Sequence, residues 1–334
     1  MKKSTLIIAI LLSISVIYAQ ERITASGDFV TEEYNLDAFT VVDINFIGDV
    51  VIKQSTKNHK VSIKANDNSF IKYTHIDVKK GKLTIYNKFD VIVDTLGEKE
   101  IVYMDNGNSH KKPYIRVEIC LPHLEELSLS GPGDVTVEKR NEPQLTVINS
   151  GAGDCTLQCL KIEGTLELHN KGAGDIKVKS FDPIRQQTLL IDNTCAGDIS
   201  ILGSHVSKTL IVNNIGSGDV SVNLMSIPTE ELILQNQGAG DITIQNILAN
   251  KVELRNQGAG DMKLMNGKAD EMTLVSIGAG TVNTQLLKVT TAHITHCSVG
   301  NTLAYVTGIT YLSYKSKVGN GNVRLSGGGK VVEE

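Results

Sequence analysis

A short glycine-rich motif returns at a nearly fixed interval along this chain. The pattern Gly-x-Gly-Asp occurs as Gly131-Pro-Gly-Asp134, Gly151-Ala-Gly-Asp154, Gly172-Ala-Gly-Asp175, Gly216-Ser-Gly-Asp219, Gly238-Ala-Gly-Asp241 and Gly258-Ala-Gly-Asp261; in Cys195-Ala-Gly-Asp198 the first glycine is replaced. Successive Asp residues lie 20, 21, 23, 21, 22 and 20 positions apart. The array then degrades through Gly278-Ala-Gly-Thr281, Ser298-Val-Gly-Asn301 and Gly319-Asn-Gly-Asn322. A period of this length, sustained so far, is one coil of a solenoid.

Around each copy the residues alternate strictly, as strands do. Leu166, Leu168, Asn170, Gly172, Gly174, Ile176 and Val178 fall on one face, and the next intact copies repeat it as Leu210, Val212, Asn214, Gly216, Gly218, Val220 and Val222, then Leu232, Leu234, Asn236, Gly238, Gly240, Ile242 and Ile244. Each coil therefore carries two short apolar strands, with an inward Asn and two glycines at the bend. No coil can bury its apolar face alone, and parallel stacking at about 4.8 Å per coil buries them all. The expected fold is all-β: a right-handed parallel β-helix, or β-solenoid, with 20 to 23 residues per coil, its hand following the general preference of parallel crossovers. A helical repeat is excluded, because recurring Gly-x-Gly and period-two alternation both break helices.

The composition agrees. The chain has 30 Gly, 6 Phe, 9 Tyr and no Trp among 334 residues, and between Ile115 and Ala304 the only aromatic residue is Phe181. A narrow interior of stacked aliphatic rows has little room for rings. Phe39, Phe46, Phe70, Tyr73, Tyr86 and Phe89 collect near one end, as an end cap would require, and Tyr305, Tyr311 and Tyr314 near the other. Residues 21–124 read as irregular solenoid coils and a cap, with strands around Phe46–Ile52, Val61–Ile63 and Lys82–Tyr86 and a polar excursion loop at 94–113; residues 125–330 read as the regular array.

Lys2 and Lys3, an apolar run from Leu6 to Ile17, and Tyr18-Ala-Gln20 make residues 1–20 a secretory signal peptide. The run is too short for a membrane span, so none is expected after cleavage, and the mature chain belongs in the periplasm, on the outer cell surface or in the medium. A formal net charge of −4 with 41% hydrophobic residues excludes a disordered chain and gives no basis for nucleic-acid binding. Cys120, Cys155, Cys159, Cys195 and Cys297 are odd in number and scattered, which argues against a disulfide framework. Cys155 and Cys195 read as small buried hydrophobes.

Phe39-Thr-Val-Val-Asp-Ile-Asn-Phe-Ile-Gly-Asp-Val-Val-Ile52 and the Gly-Ala-Gly-Asp corners resemble the head GIN domain of auto-transporter adhesins, exported β-solenoid proteins of Bacteroidota. The resemblance covers roughly residues 25 to 325. It implies an adhesive role and supplies no catalytic site.

The Asp column, Asp134, Asp154, Asp175, Asp198, Asp219, Asp241 and Asp261, is the sharpest chemical feature. Carboxylates about 5 Å apart repel by roughly 1 kcal/mol in water, so the row needs compensation. Two routes are open: each Asp accepts N–H groups of its own corner, or the row holds Ca²⁺. Thr281 and Asn301 at the same position favour a turn-forming residue over a charge. Otherwise no cofactor is expected. The inward Asn column, Asn149, Asn170, Asn193, Asn214, Asn236 and Asn256, reads as structural, with amides hydrogen-bonding from coil to coil. His293 and His296 point to opposite faces of a strand, so with Cys297 they make a poor metal set. Polar residues flanking the corners, Asn213, Gln235, Gln237, Thr243 and Gln257, form a surface able to contact a glycan or protein.

The function this supports is a non-enzymatic exported binding module, adhesive toward a glycan or an envelope or cell-surface protein. The alternative is an envelope scaffold in which copies of the chain associate through solenoid ends. A polysaccharide-active enzyme ranks third, since the central coils lack both aromatic platforms and a catalytic carboxylate constellation.

Overall fold

The computed structural model describes residues 28–87, 114–158, 160–314 and 322–333; the side chains of residues 180–184 and 314 are outside that description. The signal peptide assigned to 1–20 and the polar loop assigned to 94–113 also lie outside it. The described chain is a β-solenoid of about nine turns.

Two parallel ladders carry the stack. Before the glycine corner, Glu126–Leu129, Leu145–Asn149 and Thr165–Asn170 lead a ladder that continues through the later coils, with Leu145, Leu166, Leu189, Leu210, Leu232, Val252, Met272 and Ala292 in register. After the corner, Val135, Cys155, Ile176, Ile199, Val220, Ile242, Met262 and Val282 stack in the same way. All of these side chains are buried. Each removes its apolar surface from water only because the next coil covers it, a contribution of about 1.5–3 kcal/mol for a large aliphatic.

The coil has a third side that the two-strand reading omits. Ile242–Asn256, Met262–Ser276 and Val282–His296 each run from one glycine corner to the next. The first two turn at a second bend where Asn246 and Asn266 take left-handed backbone angles, φ 58° and 59°. On this side Ile247, Ala249 and Ala269 face inward and are buried.

The corner glycines are fixed by close approach rather than by torsion. A Cβ on Gly172 would lie 2.1 Å from the Gly151 carbonyl oxygen, and one on Gly174 would lie 2.0 Å from that of Gly153. Among the described residues, no Gly-x-Gly corner glycine has a positive φ. Stacking coils at sheet spacing puts backbone where a methyl group would go.

The N-terminal section departs from a simple run of coils. Val41–Asn45 lies between Lys82–Asn87 and Glu126–Leu129, and Asp49–Gln54 between Ile115–Leu121 and Val135–Val137, so an early segment fills a coil inside the stack. Outside it, Thr74–Lys79 pairs antiparallel with Lys82–Asn87 through a two-residue turn, Lys80 (φ 50°) and Gly81 (φ 76°), of the kind that closes hairpins. Lys60–Ala65 runs antiparallel to both Ile115–Leu121 and Val30–Asn35. The Val61–Ile63 segment is therefore part of an antiparallel cap, which also holds the helix Asn68–Lys72. Phe39, Phe46 and Phe70 are buried there. At the other end, Val323–Ser326 and Lys330–Glu333 close the two ladders, and no described strand pairs with their outer edges.

Candidate ligand-binding face

Residues on either side of each inward Asn point outward, so the pre-corner ladder presents columns of side chains to solvent. His169, Asp192, Asn213, Gln235 and Arg255 form one column. Lys171, Thr194, Ile215, Gln237 and Gln257 follow the inward asparagines. A groove of about 490 Å³ runs between these columns, lined by His169, Lys171, Asp192, Thr194, Asn213, Ile215, Gln235 and Gln237.

One end of the groove is internally satisfied. His169 Nδ1 lies 3.0 Å from Asp192 and its Nε2 3.5 Å from Glu167, while Asn213 Nδ2 donates to Asp192 at 2.8 Å. The other end is open: Gln235 and Gln237 make no side-chain hydrogen bond among the described residues, and Ile215 beside them is exposed. Of the polar residues singled out from the sequence, Asn213, Gln235 and Gln237 line the groove; Gln257 continues its column, and Thr243 lies past the corner on the other ladder. His169, Lys171, Asp192, Thr194 and Ile215 escaped that reading, because solvated strands carry the same residue types and only the register brings these five together.

The family model described as "Putative auto-transporter adhesin, head GIN domain" matches residues 38–226 and 199–329. The chain belongs to this family. Solved structures similar to this head GIN protein include a "putative adhesin" from Parabacteroides merdae, 15% identical over 94% of this chain and 99% of that one with a TM-score of 0.40. Another, from Parabacteroides distasonis, is 16% identical over 94% and 96% with a TM-score of 0.35. A third, from Bacteroides fragilis, is 17% identical over 93% and 100% with a TM-score of 0.28. None of the curated proteins compared matches the chain.

In this head GIN chain the Asp column caps neighbouring coils rather than its own corners. Oδ1 of Asp134 accepts the backbone N–H of Asp154 at 2.8 Å, and the same bond links Asp154 to Asp175, Asp175 to Asp198, Asp198 to Asp219, Asp219 to Asp241 and Asp241 to Asp261. Asp261 passes the bond to Thr281, and Asn301 to Asn322. Two lysines offset part of the charge: Lys177 bridges Asp154 (2.6 Å) and Asp175 (2.9 Å), and Lys263 bridges Asp241 (2.8 Å) and Asp261 (3.5 Å). The described residues contain no group of three or more His, Cys, Asp or Glu arranged to hold a metal ion.

The six Asn side chains are fully buried and in register, but their amides close the corner instead of forming a coil-to-coil ladder. Nδ2 of Asn149, Asn170, Asn214, Asn236 and Asn256 donates to the glycine carbonyl four residues on, at 2.9–3.1 Å. Asn193 instead reaches Gly218 in the next coil, and it belongs to the corner that carries Cys195. The local bond is available because the chain reverses within five residues and brings that carbonyl under the amide.

Cys195 is exposed, contrary to its reading as a core residue. Cys155 is buried, and burial pushes its thiol up to about 12. His293 is exposed and stacks on Tyr311 with ring centroids 4.6 Å apart, while His296 is buried. Sequence reading also missed a buried ion pair: Arg140 Nε donates to Glu142 Oε1 at 2.7 Å where the next coil has Leu160 and Ile162. No helix among the described residues is long and apolar enough to cross a membrane.

Proposed function

We propose that this head GIN protein is a non-enzymatic, exported, adhesin-like module that holds a glycan or a surface protein on the outward face of its pre-corner ladder. The observation that carries the reading is the groove itself, in which the open amides of Gln235 and Gln237 stand beside the exposed Ile215. Such a surface offers hydrogen bonds and apolar contact. Its one acid–base pair, His169 and Asp192, is engaged by Glu167 and Asn213. Export rests on the leader read at residues 1–20.

The test is retention on a glycan array and on envelope fractions by the chain lacking residues 1–20. Gln235→Ala combined with Gln237→Ala should abolish retention without lowering the melting temperature. Undiminished retention by that variant, or turnover of any retained polysaccharide, overturns the proposal.

The outer edges of Val323–Ser326 and Lys330–Glu333, which pair with no described strand, favour a second reading, a scaffold assembling through that end. Sedimentation separates the two: a scaffold gives defined oligomers that vanish when Leu325 or Val331 is changed to Lys, and retains nothing on the arrays.

A further inference from the structure

Building on the groove as a ligand site, we infer that its ligand is an acidic oligosaccharide lying along the solenoid axis. Beside the groove, Leu190, Ile211 and Ile233 stack in register on the outward face, and the same column holds Glu167 on one side and Glu253 on the other. Three adjacent coils thus place a half-buried aliphatic strip next to the polar strip of Asp192, Asn213 and Gln235. A pyranose ring matches this pairing, with a C–H face for the aliphatic strip and hydroxyl edges for amides that both donate and accept.

Two cations bracket the strip. Lys171 and Arg255 are exposed and form no ion pair among the described residues, whereas Lys177, Lys251 and Lys263 are each held by two carboxylates. The inward asparagines beside them, Asn170 and Asn256, are four coil steps apart, roughly 19 Å at sheet spacing. The carboxylates on these coils have partners within the protein, Asp192 in His169 and Asn213, Glu167 in His169 and Glu253 in Lys251, so among the described residues Lys171 and Arg255 are the charges left without a partner at the two ends. An acidic peptide fits less well. Backbone groups on this face are committed to the coil-to-coil ladders, so a bound strand would find no row of main-chain partners.

The test uses the chain lacking residues 1–20 with oligogalacturonate, its methyl ester, a hyaluronan fragment, sialyllactose, a neutral galactan oligomer and a poly-glutamate peptide. Variants are Lys171→Gln, Arg255→Gln and the Gln235→Ala/Gln237→Ala pair, each checked by thermal melting. At least one acidic glycan should bind, at least tenfold more tightly than a neutral counterpart. Each charge variant should weaken it several-fold and reduce its salt dependence. If neutral glycans bind as well, or Lys171→Gln and Arg255→Gln change nothing while the double Gln variant abolishes binding, the acidic assignment falls and the groove stands. Binding of poly-glutamate alone, or of no acidic glycan, also overturns the assignment. Glycan binding that survives all three variants overturns the groove as well.

Discussion

Oδ1 of Asp219 accepts the backbone N–H of Asp241 at 2.7 Å, tying one coil to the next through a side chain. What matters at this position is an acceptor rather than a charge, and Asn301 makes the same bond to Asn322. Asp219→Ala should lower stability by about 1 kcal/mol, and Asp219→Asn by clearly less. Thermal melts in which the two variants fall equally would reject the explanation.

The charge still sets the response to acid. Burial works to raise the Asp154 carboxyl, but the backbone N–H of Asp175 and the Lys177 ammonium outweigh it and hold the group below the usual carboxylate range. Asp241 is held down in the same way, against burial, by Lys263 and the N–H of Asp261. A carboxylate depressed in the fold contributes stability that is present above its unfolded value, about 4, and is lost as pH falls through the folded value. The melting temperature should therefore drop below about pH 4. The Asp154→Asn/Asp241→Asn variant should give a shallower profile, and an acid limb that superimposes on that of the unaltered chain would contradict this account.

Gly238→Ala should be among the most damaging small substitutions, since its Cβ would lie 1.9 Å from the Gly216 carbonyl oxygen. Overpacking against backbone of this kind costs about 1–3 kcal/mol. Ala239→Ser, one residue away at a position where Ser217 already stands, should be neutral in the same denaturant titration; a tolerated Gly238→Ala would mean that the coils can separate locally.

Asn236 and Asn193 occupy the same column but should not be equivalent. Asn236 donates to Gly240 at 2.9 Å and accepts from the Gly238 N–H at 3.2 Å, so Asn236→Ala removes both bonds and should cost roughly 2 kcal/mol or more. The Gly218 carbonyl that Asn193 meets also receives the Asn214 amide, so Asn193→Ala should cost less. Equal losses in chemical denaturation would show that corner closure is not the role of this column.

Glu142 is the counter-charge for a guanidinium with no side-chain exposure, and it also accepts the Leu124 N–H at 3.1 Å. Burial lowers the Arg140 pKa, against the opposing pull of Glu142. Glu142→Ala should cost about 3–5 kcal/mol because it leaves that charge unpaired. Arg140→Leu with Glu142→Ile, the pair present one coil on at Leu160 and Ile162, should recover most of the loss. Failure of the double variant to outlast Glu142→Ala on heating would count against the ion-pair reading.

The repeat was legible because each of its parts is local. Gly172 and Gly174, the alternation through Leu166 and Leu168, and the returning Asp together specify a strand, a tight corner and a strand stacked at a fixed period. The cap was less so, since Val61–Ile63 alternates like any coil strand and its antiparallel direction depends on partners at 30–35 and 115–121.

By itself, the sequence determined the all-β class, the coil length, the inward rows of aliphatics and the placement of Asp and Asn at each corner. These follow from periodicity, which is a property of neighbours along the chain. Only the tertiary structure decided that Asp caps the following coil while Asn closes its own, that Arg140 is buried against Glu142, and that Lys171, Asn213 and Gln237 share one groove. Those relations join residues from different parts of the chain or depend on the direction in which a side chain bonds, and stacking register fixes both.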